Sequence, residues 1–166
     1  MYYEEVFSEL NENKVRYLVV GGTALVLHGV VRLTADLDLM IALDEKNVLR
    51  FISAMEKLGY KPRVPVKASE FADPGKRAAW VRDKGMKVFS LFDPKMPIHL
   101  VDVFVYEPIN FEKAYNDRKI VTADGIKIPL VSLKDLVRLK GISAREQDLA
   151  DIKAIKELKK LAGNGK

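Results

Sequence analysis

The fold is decided by one stretch, Val20-Gly-Gly-Thr-Ala-Leu-Val-Leu-His-Gly-Val-Val-Arg-Leu-Thr-Ala-Asp-Leu-Asp-Leu-Met-Ile41. It follows an apolar run that begins at Tyr17, and it ends in two carboxylates one residue apart, Asp36 and Asp38. Residues i and i+2 of a strand share a face, so these carboxylates are predicted to point together. Because Asp is uncommon in strands, the pair indicates either a divalent cation with oxygen ligands or an exposed acidic face.

The composition predicts a soluble, globular chain. Its 166 residues are 48% hydrophobic and 31% charged, which suits one domain with at most a small appendage. Apolar runs are too short to span a bilayer, the start Met1-Tyr-Tyr-Glu-Glu is unlike a signal peptide, and cysteine is absent. We therefore expect a cytoplasmic protein with no membrane partner and no thiolate chemistry.

Positive charge is concentrated toward the C-terminal end. The net charge is +5, and most of the excess lies between Ser132 and Lys166. Such a basic segment suits an anionic partner such as nucleotide phosphates or RNA. For most of these lysines, a solvated helix surface is the simpler interpretation.

Hydrophobic periodicity predicts an α/β chain, with Asp44, Asp73 and Ser132 as the predicted N-caps of three helices. Helices are predicted at residues 1–13, 23–28, 45–58, 73–84, 110–117, 132–141 and 145–161, and strands at 17–20, 36–41, 88–92, 99–106, 119–123 and 126–128. Gly21-Gly22 is expected to form a tight turn and Pro97 to break the chain. Asp124-Gly125 is a hairpin signal between the last two strands.

A third carboxylate, Asp102, lies inside the otherwise apolar run Leu100–Val105. A charge in a central strand costs free energy unless it is paired or ligated. If this strand neighbours the strand of Asp36 and Asp38, three carboxylates converge in the layout of two-metal phosphoryl transfer. One ion would lower the pKa of an attacking hydroxyl and the other would hold a triphosphate, while Asp102 is also a candidate general base.

The glycine pair supplies a candidate phosphate site. A strand followed by two glycines and a helix leaves backbone N–H groups where the helix dipole favours an anion. Gly21 and Gly22 let a phosphate approach the backbone closely, and Thr23 offers a hydroxyl. A plain tight turn stays an alternative, because the stretch is neither a G-x-G-x-x-G fingerprint nor a Walker loop.

Together these residues resemble the nucleotidyltransferase superfamily, which has the polymerase-beta-like fold. The family motif is an apolar strand, Gly-Gly or Gly-Ser, D-x-D and a later Asp, matched here by Gly21-Gly22, Asp36-Leu-Asp38 and Asp102. The stretch Val131–Ile152 is also similar to small prokaryotic nucleotidyltransferases, including those of type IV toxin–antitoxin systems. The segment Tyr60–Lys95 matches no part of the pattern.

The resemblance implies a nucleotidyltransferase core at residues 1–131, of α/β (α+β) class with a mixed sheet flanked by helices, and a helical extension at 132–166 packed on it. It implies transfer of an NMP group from an NTP to an acceptor hydroxyl, with two Mg²⁺ ions and release of pyrophosphate. The implied catalytic and Mg²⁺-binding residues are Asp36, Asp38 and Asp102, and the implied nucleotide-binding residues are Gly21, Gly22, Thr23, Arg32 and Lys140. Thr34 would lie with Arg32 at the mouth of the site.

Three questions stay open in the sequence. The family more often has Ser at the position of Gly22, and Thr23 is the candidate replacement for its hydroxyl. The basic C-terminal segment favours tRNA or another nucleic acid as acceptor over a protein or a small molecule, and a homo-oligomer is left open. The alternative function is a non-catalytic nucleotide-binding or antitoxin-like interaction module on the same fold.

Several candidate residues have simpler structural interpretations. Arg32 could pair with an aspartate of the D-x-D motif, and Lys140 could lie on a solvated face. Asp148 and Asp151, at i and i+3 of a helix, are predicted to pair with Arg145 or a neighbouring Lys rather than bind metal. The aromatic ring of Trp80 is predicted to anchor packing, and His28 to be a hydrogen-bonded core residue.

Overall fold

The computed structural model describes residues 3–163, and their side chains as far as residue 161. Its elements are α1 (Glu4–Glu12), β1 (Tyr17–Val20), α2 (Gly21–Leu27), β2 (Leu37–Ile41), α3 (Glu45–Lys57), β3 (Lys61–Pro62), a 3-10 helix (Ala68–Ala72), α4 (Pro74–Lys84), β4 (Val88–Asp93), β5 (Met96–Phe104), α5 (Phe111–Asn116), β6 (Lys119–Ala123), β7 (Ile126–Leu130), α6 (Leu133–Ser143) and α7 (Glu146–Gly163). The predicted α/β class is confirmed.

The sheet is mixed, and it brings the two aspartate-bearing strands together. In the described chain its seven strands run in the order β3-β4-β5-β2-β1-β7-β6. Strand β2 is antiparallel to β1 and parallel to β5, and β1 is parallel to β7. The strand of Asp38 therefore lies directly beside the strand of Asp102, which is the arrangement that three converging carboxylates require.

One face of the sheet carries most of the aromatic core. Phe89 of β4 stacks on Phe71 of the 3-10 helix and on Trp80 of α4, with ring centroids 5.1 and 5.6 Å apart. At the other end of this face, Phe7 of α1 stacks on Tyr17 of β1 at 6.4 Å. Trp80 is 5% exposed, so the predicted packing role is confirmed. Helices α1, α3 and α4 thus cover the face opposite the aspartates.

Helices α6 and α7 form the predicted C-terminal helical segment. Leu136 of α6 and Ile155 of α7 are fully buried in the same hydrophobic core as the sheet. No helix in residues 3–163 is both long enough and apolar enough to cross a membrane.

Three predicted helix caps and the predicted hairpin are confirmed. Asp44 accepts a hydrogen bond from the Asn47 N–H, Asp73 from two N–H groups of α4, and Ser132 from the Asp135 N–H. Such bonds satisfy donors that a helix start leaves unpaired. The turn Asp124-Gly125 has φ of 50° and 79°, as a two-residue hairpin of this type requires.

Two local predictions are wrong. Gly21 and Gly22 are the first residues of α2 rather than a separate tight turn. Pro97 lies inside β5 rather than before it, where β5 extends beyond its pairing with β2 and the register with β4 shifts at Phe92/Asp93. A proline is tolerated there because, among the described strands, β2 does not pair with β5 at this position, so one side of the strand has no ladder hydrogen bond to lose.

Candidate functional site

Asp38 and Asp102 lie opposite one another on neighbouring strands. The register pairs Asp38 with Asp102 across β2 and β5, and Val20 of β1 and Ser90 of β4 continue the row on either side. Residues paired across strands present their side chains on the same face. Both carboxylates also line a cavity of about 220 Å³ beneath α6.

Burial raises the pKa of both carboxyl groups, and the charge of a neighbouring aspartate adds to the rise of each. Burial raises the pKa of Asp38 to about 6, the Asp102 charge adds to the effect, and Lys140 opposes it. Burial also raises the pKa of Asp102, against a hydrogen bond from Ser90 and the nearby charge of Arg63. A cation between the two carboxylates would relieve this repulsion.

One oxygen of Asp102 has no hydrogen-bond partner among the described residues. It is Oδ1, and it is buried. An unsatisfied buried carboxylate oxygen is costly, and it is the kind of atom that a hard divalent cation binds. As the side chains stand, no three His, Cys, Asp or Glu residues in the described chain are grouped to hold a metal ion. The site therefore offers two adjacent carboxylates rather than a closed three-ligand cage.

Asp36 directly precedes β2 and lies near the pair. Its charge contributes to raising the pKa of both Asp38 and Asp102. Its backbone carbonyl accepts hydrogen bonds from the hydroxyls of Thr23 at 3.0 Å and Thr34 at 3.4 Å. These bonds fix the backbone at the start of the D-x-D strand.

Gly21 is packed directly against Asp38. Its φ is +62°, and a Cβ built at this position would lie 1.9 Å from Asp38 Oδ2. Only glycine satisfies both the backbone angle and the space. The Gly22 N–H donates a hydrogen bond to the Asp38 carboxylate, which lowers its pKa slightly. The start of α2 thus holds one of the two carboxylates in place.

The loop between α2 and β2 folds back over Gly22. A Cβ at Gly22 would lie 2.7 Å from Thr34 Oγ1 and 3.5 Å from Arg32 Cζ. Thr34 therefore occupies the space that a side chain at position 22 would need. Thr23, the predicted replacement for a serine there, is 8% exposed and donates its hydroxyl to the Asp36 carbonyl. The hydroxyl beside Gly22 belongs to Thr34 instead.

Lys140 lies in a buried ion-pair cluster rather than on a solvated face. Its Nζ is 2.9 Å from Asp148 Oδ1 and 2.7 Å from Asp151 Oδ2. Asp151 also pairs with Arg32, which therefore does not pair with the D-x-D aspartates. The Ser143 hydroxyl donates to Asp148 at 2.6 Å. The cluster ties the loop that follows α2 to α6 and α7, beside the carboxylates.

The predicted ion pairs of Asp148 and Asp151 are present, but Arg145 contributes only its backbone. Its N–H donates to Asp148 at 3.1 Å. Burial raises the pKa of Asp148, but the donors from Ser143, Lys140 and this N–H outweigh it and hold the pKa below its usual range. Asp148 is therefore ionised and structural at neutral pH.

Replacing Lys140 by Met is expected to lower the free energy of unfolding by about 3–5 kcal/mol, because two buried carboxylates lose their shared cation. Lys134→Met, at an exposed position of the same helix, is the matched control and should change stability little. Urea unfolding of the two variants measures the difference. Equal midpoints would show that Lys140 is not part of a buried pair.

Besides the acidic groups of Asp38, Asp102 and Asp148, apolar and basic side chains line the cavity beside the carboxylates. The apolar side chains belong to Phe104, Tyr106, Pro108, Leu136, Leu139 and Ile142, and the basic ones to Lys87, Lys140 and Arg145. Pockets for whole drug-sized ligands measure about 300–1,000 Å³. This cavity is smaller, so it suits one ring system of a larger substrate.

Sequence reasoning missed two residues of the site, Ser90 and Arg63. Both come from the segment that matched no family motif. The period of two in β4 does place Ser90 on the face opposite Phe89 and Leu91. No local sequence pattern predicts that Ser90 pairs with Asp102 on the neighbouring strand. His28 has the predicted structural role, with Nε2 2.8 Å from the Val131 carbonyl oxygen.

Solved structures with a similar fold are nucleotidyltransferases of low sequence identity. One is the lincosamide antibiotic adenylyltransferase LnuA bound to lincomycin, with 20% identity, TM-score 0.59, and coverage of 93% of this chain and 96% of that one. Another is ANT(2″)-Ia in complex with adenylyl-2″-tobramycin, with 10% identity, TM-score 0.59, and coverage of 98% and 94%. An antigenic nucleotidyltransferase-like protein from Paracoccidioides brasiliensis has 19% identity, TM-score 0.55, and coverage of 94% and 72%. These likenesses show the fold.

The sequence itself gives the family. No curated protein sequence is similar enough to match the chain. The sequence model of one family, described as nucleotidyltransferase of unknown function (DUF6036), matches residues 3–162. This match includes the glycine pair, the D-x-D motif, Asp102 and the ion-pair cluster. The chain therefore belongs to this nucleotidyltransferase family.

Proposed function

We propose that the protein transfers a nucleoside monophosphate from an NTP to an acceptor hydroxyl and releases pyrophosphate. The observation that carries the proposal is the pairing of Asp38 with Asp102, together with the buried Asp102 Oδ1, which has no hydrogen-bond partner within residues 3–161. Family membership supports the same reaction class. Two half-buried carboxylates that repel each other lower stability, so their presence favours a catalytic site over a non-catalytic module.

Mg²⁺ fits the donor set of this site. Asp38 and Asp102 would hold it through carboxylate oxygens, and Asp36 is the proposed third ligand. When bound, Mg²⁺ would neutralise phosphate charge and lower the pKa of the acceptor hydroxyl.

Residues of the chain would bind the leaving phosphates and accept the proton of the acceptor. Gly21 and Gly22 would let the leaving phosphates approach the start of α2, and the Thr34 hydroxyl and Arg32 lie beside them. Asp102 would accept the proton of the acceptor hydroxyl. These groups act by positioning and by electrostatic stabilisation, which together account for most catalysis of phosphoryl transfer.

The acceptor is proposed to be a nucleic acid rather than a small molecule, on the strength of the net charge of +5. The structural neighbours solved with lincomycin and with adenylyl-2″-tobramycin suggest an antibiotic, tobramycin, as the comparison acceptor for the assay. A protein, as in a toxin–antitoxin pair, is the third kind of acceptor to be tested.

The test is transfer of label from each [α-³²P]NTP in the presence of Mg²⁺, with total RNA, lysate protein or tobramycin as acceptor. We expect label in one acceptor fraction, lost on addition of EDTA and lost in Asp36→Ala/Asp38→Ala. Transfer that persists unchanged in the double variant would overturn the assignment of these carboxylates. A wild-type protein that neither binds nor uses any NTP would favour the interaction module.

A further inference from the structure

We propose that Arg63 binds a phosphate group of the acceptor, close to the hydroxyl that receives the nucleotide. The proposal rests on the proposed function and goes beyond it by naming the chemistry of the acceptor. That chemistry is a hydroxyl with a neighbouring phosphate, as at the 3′ end of a polynucleotide or in a sugar phosphate.

Strand pairing places Arg63 on the same face as the carboxylates. Its N–H donates to the Ser90 carbonyl at 2.9 Å, which extends the pairing of β3 with β4 by one residue. Ser90 in turn is paired with Asp102, and Asp102 with Asp38. Because paired residues share a face, the four side chains form one row across the sheet. The Arg63 charge reaches Asp102, whose pKa it lowers.

The strand order puts Arg63 on the side of the β2–β5 pair opposite Gly21 and α2. Gly21 and α2 follow β1, on one side of the β2–β5 pair, whereas Arg63 follows β3, on the other side. Phosphoryl transfer keeps the attacking and leaving oxygens roughly in line. If pyrophosphate leaves toward Gly21, the acceptor hydroxyl approaches from the side of β4 and β3.

The Arg63 guanidinium is available for a ligand. It is exposed, and within residues 3–161 its side chain forms no hydrogen bond or ion pair. Within the same residues, Arg145 is the other arginine whose side chain forms no hydrogen bond or ion pair, and it lines the cavity next to Asp102. All remaining arginines contact a carboxylate or a backbone carbonyl; they are Arg16, Arg32, Arg50, Arg77, Arg82, Arg118 and Arg138.

The chemistry of these side chains selects an anion. A guanidinium with unpaired donors matches two oxygens of a phosphate at once. Lys87 and Arg145 line the cavity next to Asp102 and add positive charge there. A cationic group of an acceptor would be repelled by the Arg63 guanidinium itself.

Two binding measurements test the proposal on the full-length protein. The first is the fluorescence anisotropy of a short 5′-fluorescein-labelled oligoribonucleotide with a free 3′ hydroxyl, over a series of salt concentrations. The second is calorimetric titration with ribose 5-phosphate. Arg63→Gln is compared with Arg82→Gln, which removes the same charge from exposed α4 on the opposite face of the sheet.

We expect Arg63→Gln to weaken binding about tenfold in at least one arm. In the oligoribonucleotide arm it should also flatten the slope of log Kd against log salt by about 0.7, the value for one lost phosphate contact on a single strand. Arg63→Lys should keep the slope because it keeps the charge. Arg82→Gln should change neither quantity.

The arm that responds identifies the source of the phosphate. Equal binding by Arg63→Gln and Arg82→Gln in both arms, or no binding of either probe by the wild type, would overturn the proposal. NTP binding with Mg²⁺ is measured on the same wild-type sample. Its absence, with Arg63-dependent binding intact, would reject nucleotidyl transfer and leave the phosphate site standing.

Discussion

A Gly21→Ala variant is expected to lose about a hundredfold or more in nucleotidyl transfer. The added methyl group would lie 1.9 Å from Asp38 Oδ2, so the carboxylate must move. A displacement of about 1 Å at a catalytic group can cost about a hundredfold in rate. The initial rate of transfer from an NTP, measured beside the wild type, gives the effect.

The matched control is Gly85→Ala. Gly85 has φ of +59°, close to that of Gly21, but none of the described atoms outside its chain neighbours and helix lies within 4 Å of a Cβ built there. Both variants lose about 1–2 kcal/mol of stability through the left-handed backbone. Only Gly21→Ala adds the clash with Asp38. If both variants keep wild-type transfer rates, Gly21 does not position the catalytic carboxylate.

The second large effect is a stability difference that depends on pH. Asp38→Asn should become more stable than the wild type as pH rises, when both are unfolded by urea without divalent cations. The ordinary pKa of 3.8 is raised to about 6 in the folded protein. The stability contribution of this group is therefore complete below about pH 4 and is lost as pH rises through about 6.

Because Asn carries no charge, the variant avoids this loss. The unfolding free energy of Asp38→Asn relative to the wild type should rise by about 2–3 kcal/mol between acidic and neutral pH. Asp83→Asn is the control. Because Arg82 lowers the pKa of this exposed acid, the unfolding free energy of Asp83→Asn relative to the wild type should fall slightly as pH rises. A relative stability of Asp38→Asn that is independent of pH would show that Asp38 is not held in a repulsive pair.

The two strands that carry the aspartates could be predicted from the sequence because their signals are local. Alternation in Leu100–Val105 separates Asp102 from the buried valines, and the D-x-D spacing places two acids together. The caps at Asp44 and Ser132 were readable for the same reason, since each lies within three residues of the N–H it accepts from. What such patterns do not give is which strand pairs with which.

The parts that could not be predicted depend on long-range pairing. Arg63 joins the site only because β3 pairs with β4 and β4 with β5, and no local pattern sets those registers. Thr23 and Thr34 are both candidates to place a hydroxyl beside Gly22. Only the packing of the folded chain decides that Thr34 does so. The local sequence predicts an ordinary helix-surface lysine at position 140. Its buried ion pairs form only because α7 packs against α6.

One measurement tests nucleotidyl transfer most directly. The wild-type protein, Mg²⁺ and the responding acceptor are incubated with an NTP that carries ³²P at the α position and ³³P at the γ position. The account predicts ³²P in the acceptor and ³³P only in pyrophosphate, in equal molar amounts, with both lost in Asp38→Asn. Transfer of ³³P to the acceptor, or its release as inorganic phosphate without ³²P transfer, would contradict it.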